Sequence, residues 1–281
     1  MIAGNDRFPF GAPSTLRPAN VPPSGDTHLA VVGVYPSALH VRWDLPTWAV
    51  AGQDLPPRVG ALAVDVEPTV FWDGTDPEPT ELVAAWQQRV GFLSGDEPGK
   101  HGHVRETMNG TSGRSVVERV LGPLGVDPCR TMFTDLVPRF FVKTGTGGRA
   151  EQGDRIRDVY EPFARLVGLP PANLPARPAQ RQLVSGVVTE ERNRLRNELA
   201  AAGASVIVTL GSEAREALRQ IVDDADGVPA RDLRRDNYGE PGTLRIGRYR
   251  ARWYALTHPG NRSPAWREVH AQWEQTVRPA G

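Results

Sequence analysis

Two residues able to handle a proton stand at informative places, His258 in Thr257-His258-Pro259-Gly260 and Asp135 in Thr134-Asp135-Leu136. Each closes an apolar, strand-like run, and two more such runs end in Tyr35-Pro36-Ser37 and Leu210-Gly211-Ser212. Where strands alternate with helices, ligands bind beyond the C-terminal ends of the strands. These four ends are therefore the candidate site. Other chemistries lack their residues. No G-x-G-x-x-G follows the first strand, and there is no G-x-x-x-x-G-K-[ST] loop and no G-x-S-x-G elbow. The single cysteine, Cys129, excludes an internal disulfide, a four-cysteine zinc site and an iron–sulfur cluster. His101-Gly102-His103 with Glu106 offers two or three possible metal ligands, but its glycine-rich polar flanks favour a solvated loop. No metal and no other cofactor is expected.

The elements that must position these ends follow from hydrophobic periodicity. Buried strands are expected in 28–36, 131–141 and 204–211, and 242–260 reads as a hairpin whose second arm is the fourth core strand. Helices are expected over 77–93, 113–125, 154–167, 189–203, 212–224 with Ser212 as cap, and 263–278 with Pro264 in the first turn. The alternation of strands and helices predicts an α/β fold. Its expected form is a three-layer α/β/α sandwich around a central, mainly parallel four-stranded sheet. An irregular arm, 1–27, precedes one domain, 28–281, with a hairpin-like insertion at 44–77 and a loop-rich one at 143–186.

The 281 residues include 33 basic and 33 acidic side chains, so a nonspecific polycation is excluded. The distribution is uneven: 44–98 holds ten acids against two arginines, whereas 245–267 holds six arginines and no acid. A local basic stripe on a neutral protein suits a nucleic-acid face with an acidic back. Arginine abundance beside much alanine is equally what a GC-rich genome produces. No basic segment followed by an apolar core opens the chain, and no run approaches the roughly 20 apolar residues that span a bilayer. A cytoplasmic monomer that does not engage membranes is expected.

Taken in order, the strand ends resemble the motifs of the uracil-DNA glycosylase superfamily. Gly33-Val34-Tyr35-Pro36-Ser37 resembles its first motif, and Asn109-Gly110-Thr111-Ser112-Gly113-Arg114 its glycine-rich turn into a helix. Thr134-Asp135-Leu136-Val137 matches a strand end that carries asparagine in uracil-specific members. Val206-Ile207-Val208-Thr209-Leu210-Gly211 matches the next strand, and His258-Pro259-Gly260-Asn261-Arg262-Ser263 the last motif. The resemblance spans about 28–278. It implies a monofunctional DNA glycosylase that extrudes a base into a pocket and hydrolyses its N-glycosidic bond, leaving an abasic site. Members of the family-4 type hold an iron–sulfur cluster through four cysteines, which one cysteine cannot do.

The resemblance assigns His258 as the donor to the departing base. It assigns Pro36, Ser37, Ser212, Pro259, Gly260, Asn261 and Arg262 to the DNA strand, and Asn109 and Met108 to the base pocket, with Met108 near a position that stacks on the base. Two departures bear on specificity. An ionised aspartate only accepts hydrogen bonds, so Asp135 points away from plain uracil and towards an amino-bearing base. It could instead activate the water, or serve as a structural cap. Tyr35 replaces a water-positioning Asp or Asn and is a poor base at neutral pH, with Asp44 and His40 as substitutes. A damaged or modified base is therefore expected, such as a bulky 5-substituted cytosine of viral DNA with an antiviral role. The rivals are an inactive DNA-binding protein on the same fold and a hydrolase of free nucleosides or nucleotides.

Overall fold

Apolar strands too short to hide both faces alone must be covered on each side, and here they are. The protein is represented by a computed structural model that describes residues 5–22, 26–92, 100–145, 150–227, 234–261 and 263–278. The nine strands among the described residues are β1 (Leu29–Gly33), β2 (Ala38–Asp44), β3 (Arg58–Val66), β4 (His103–Glu106), β5 (Thr131–Asp135), β6 (Val206–Leu210), β7 (Asp224–Asp226), β8 (Gly242–Ile246) and β9 (Tyr249–Leu256). They form a six-stranded sheet in the order β5-β1-β6-β9-β8-β7 and a three-stranded sheet in the order β3-β2-β4.

The large sheet is mostly parallel: β5, β1, β6 and β9 run together, and β8 and β7 add antiparallel pairs. The fold is thus mixed α/β, but the expected four-stranded sheet has six strands. The first arm of the β8–β9 hairpin stays in the sheet, and the polar Asp224-Ala225-Asp226 extends it without any apolar pattern to announce it. Every residue of β1 and β5 is buried. Ala30 and Val32 pack with Leu195, Leu199 and Leu218 on one side, and Leu29 and Val31 with Val116, Val120 and Trp273 on the other. Period-2 alternation thus gives each helical layer its own half of the strand.

Helices fall near their expected places, with one correction. The helical run expected from 189 begins at Gln180 and continues through Val187–Glu191 to Ala202. Its start lacks a Ser, Thr, Asp or Asn cap; instead the Gln182 side chain accepts from the Ala179 N–H at 3.2 Å. Among the described residues, no helix is long and apolar enough to cross a membrane.

The expected hairpin insertion forms the small antiparallel sheet, starting at Ala38 rather than after residue 44. Its core holds Trp43, Trp86, Tyr160 and Phe163 together with Phe8 and Phe10. The Phe10 N–H donates to the Tyr160 hydroxyl at 2.5 Å. The arm is therefore irregular in backbone but built into this core. His101 is likewise buried rather than in a solvated loop. Its carbonyl accepts from Trp43 Nε1 at 2.6 Å, and its ring packs on Phe10 and Phe92. His103 and Glu106 lie exposed on β4.

Candidate active site

Parallel register brings the four strand ends to one edge of the large sheet. Gly33 stands opposite Asp135 on β1 and β5, and Leu210 opposite Leu256 on β6 and β9. Beyond them lies a cavity of about 490 Å³ lined by Tyr35, Pro36, Ser37, Asp135, Gly211, His258, Gly260 and Asn261. Phe71 and Phe140 supply aromatic walls, and the 143–186 insertion supplies Lys143, Glu151, Gln152 and Arg177.

Two glycines make this possible. A Cβ on Gly33 would collide with the Asp135 carboxylate and the Phe71 ring, so only glycine lets the carboxyl lie across the neighbouring strand. Gly211 caps the helix Ser212–Ile221 at φ +100°, with the His258 Cβ 3.9 Å from where its own Cβ would be. Phe71 adopts φ 53° without being glycine, a local strain of the kind found where a side chain is held for a purpose.

His258 is exposed within the concave site. Its carbonyl accepts from Asn261 N–H at 2.8 Å, closing a turn, and its Nδ1 accepts from Gly260 N–H at 3.0 Å. A ring nitrogen that accepts carries no proton, so the neutral ring is the Nε2–H tautomer. Among the described residues Nε2 has no partner. Desolvation by the surrounding protein, helped by Lys143, lowers the pKa to about 4, so the ring is a neutral donor at physiological pH.

Asp135 is buried, and among the described residues its carboxyl oxygens have no hydrogen-bond partner; Arg194 instead binds the main-chain carbonyl at 3.0 Å. Desolvation raises its pKa to about 7 against the attraction of Arg194, and nearby Glu67 adds to the rise. Near neutrality a protonated fraction can donate one hydrogen bond and accept another. The ionised fraction only accepts.

Tyr35 packs edge-on against Phe141 with ring centroids 5.6 Å apart and lies beneath the Arg177 guanidinium. Burial pushes its hydroxyl to about 12, so it forms a wall and not a base. His40 lines the cavity with its pKa lowered to about 4, mainly by burial, and its Nε2 lies 2.8 Å from the Gln152 amide nitrogen. Asp44 lies elsewhere, bound by Arg58 at 2.5 Å and Arg105 at 3.2 Å.

Other expected residues fall outside the cavity lining. Met108, at φ 56°, is 56 % exposed; the aromatic rings facing the site are those of Tyr35, Phe71 and Phe140. Asn109 is buried, but its amide binds the His40 main chain, accepting at 2.7 Å and donating at 2.9 Å. It acts as a substitute ladder rung. Ser212 is the first helical residue and not the cap, and its hydroxyl donates to Glu213. Pro259 borders a separate small void behind His258. Arg262 lies outside the described residues.

The first arginines of the basic stripe are also displaced. Arg245 lies on β8, Arg248 in the turn between β8 and β9, and Arg250 at the start of β9, and six residues from Arg250 to Leu256 span roughly 20 Å. Proximity to His258 in sequence thus becomes distance along a strand. Among the described residues the cations lining the cavity are Lys143 and Arg177, the latter paired with Glu213.

Phe71, Arg177 and Gln152 escaped sequence reasoning because insertions of unreadable path deliver them, and Phe140 because the strand expected over 131–141 stops at Asp135. The compact aromatic pair in Val70-Phe71-Trp72-Asp73-Gly74 was the one available signal. No family model matches the chain, and a search of curated proteins finds no match.

Proposed function

We propose that this chain is a monofunctional DNA glycosylase of uracil-DNA glycosylase type, hydrolysing the N-glycosidic bond of a damaged or modified base. The observation that carries the reading is the convergence on one cavity of a neutral His258, whose Nε2–H has no partner among the described residues, and the Asp135 carboxyl, which has none there either. The base leaves with the electron pair of the glycosidic bond, and water adds to the sugar carbon. His258 stabilises charge growing on a base carbonyl, as a preorganised hydrogen-bond donor does. Protonated Asp135 complements an edge with one donor and one acceptor, as cytosine presents at N3 and the exocyclic amine and uracil at O4 and N3. The ionised form favours an edge of donors only.

The cavity falls within the roughly 300–1,000 Å³ of sites that enclose drug-sized ligands, so a base with a bulky substituent fits, including a 5-substituted cytosine of viral DNA. The test is a panel of single- and double-stranded oligonucleotides carrying uracil, hypoxanthine, xanthine, cytosine and substituted cytosines, with abasic sites revealed by alkali. Cleavage of one base, lost in His258→Ala, supports the reading. Strand binding without cleavage of any base supports the inactive binding protein.

A second reading has its own observation. Lys143 is the one cation lining the cavity that has no acidic partner among the described residues, thin provision for a phosphate backbone. Hydrolysis of free nucleosides or nucleotides fits that provision, and activity on monomers without affinity for strands would establish it.

A further inference from the structure

Behind His258, on the side away from the cavity, polar groups meet in an otherwise aromatic layer. Tyr238 and His270 are both buried, against Trp266 and Trp273. The Tyr238 hydroxyl lies 2.5 Å from His270 Nδ1, and His270 Nε2 lies 3.0 Å from the Arg119 carbonyl oxygen. The Thr257 N–H donates to the same hydroxyl at 3.3 Å, and the Thr257 hydroxyl lies 3.3 Å from it.

The direction of this chain is fixed by its far end. A carbonyl can only accept, so His270 Nε2 carries the proton. The Nδ1 of a neutral ring then accepts, Tyr238 donates to it, and the hydroxyl lone pairs receive Thr257. Burial lowers the His270 pKa, in keeping with a neutral ring. Thr257 is the first residue past the end of β9, where the strand ladder no longer holds the backbone. The next residue is His258.

We infer that Tyr238 and His270 are a positioning pair, anchoring the Thr257 backbone to the helical segment Val117–Leu121 so that the His258 ring keeps its aim and tautomer. This rests on the reading of His258 as the donor to the leaving group. Phenylalanine and leucine would satisfy the surrounding tryptophans without burying polar groups, so packing alone does not call for the pair. A buried network whose members are all satisfied selects one geometry.

The test compares Tyr238→Phe, His270→Leu and His270→Gln, the last retaining one donor and one acceptor. The first readout is the ring-nitrogen NMR spectrum of His258 in the free protein, beside a thermal melt to confirm folding. The wild type should show the Nε2–H tautomer. Tyr238→Phe and His270→Leu should show a mixture of tautomers, and His270→Gln should restore the wild-type pattern. On an oligonucleotide that the wild type cleaves, the first two should lower kcat about 10- to 100-fold with KM changed less than about twofold. Wild-type His258 spectra in folded Tyr238→Phe and His270→Leu would overturn the pair's role. Should Tyr238→Phe not fold, equal His258 spectra for His270→Leu and His270→Gln overturn it. Should no oligonucleotide be cleaved by the wild type, the glycosylase reading fails while the spectra still decide the positioning.

Discussion

The two sheets divide the labour of the site. The large sheet has continuous apolar strands, regular parallel register and strand ends that place Asp135 and lead directly into His258. The small sheet is bulged, with register shifts between Leu39 and His40 and between Val41 and Trp43. Cavity-lining His40 lies on it, and Phe71 follows it, together with Asn109, which anchors His40 from outside the lining. Regular sheet fixes the groups that must be exact, and irregular sheet with its loops shapes what they meet. The polar groups that act on the base, His258 and Asp135, should thus be sensitive to the large sheet, and the shape of the pocket around it to the small one.

The largest effect expected is on the large sheet. His258→Ala should lower single-turnover cleavage by about 10²- to 10³-fold with an unchanged melt; a loss below tenfold would remove His258 from the chemistry. Asp135→Asn comes next, through pH. If the protonated carboxyl reads the base, wild-type kcat/KM should fall about tenfold per pH unit above about pH 7, and the variant should stay flat. Stability follows the same sign. A carboxyl raised from 3.8 to about 7 in the folded state binds more protons there than in the unfolded chain. Wild-type stability is therefore lost as pH rises from about 4 to 7, and Tm should fall more steeply over that range than in Asp135→Asn.

On the small-sheet side, Phe71→Ala should raise KM about 5- to 100-fold, the scale of one base–aromatic stack, while single-turnover kcat holds within a few-fold. An unchanged KM would mean that the ring only fills space. Smallest in activity, Asn109→Ala should cost about 1–3 kcal/mol in chemical denaturation, because the His40 N–H and C=O lose their partner. Met108→Ala, at an exposed turn, should change neither property, and a measurable loss there would redraw the pocket.

Legibility followed the same division. Continuous runs such as Leu29–Gly33 and Val206–Leu210 announce buried strands, so the strand ends with His258 and Asp135 could be read directly. Met108 was misplaced because sequence does not show a left-handed turn swinging a side chain outward. The raised pKa of Asp135 comes from burial, which sequence shows only by implication. Arg245, Arg248 and Arg250 stand away from His258 because an extended strand turns a few residues of sequence into distance. Phe71, Gln152 and Arg177 arrive on segments whose path is set by tertiary packing and not by any local period.

One consequence concerns the order of synthesis. Phe8 and Phe10 fill a core whose partners Tyr160 and Phe163 are made some 150 residues later, and β1 waits for β5 and β6 on either side. Phe8 and Phe10 therefore find their places only after some 150 further residues have been made. Until then two aromatic rings and a fully apolar strand stand uncovered, which makes the nascent chain a natural client for chaperones.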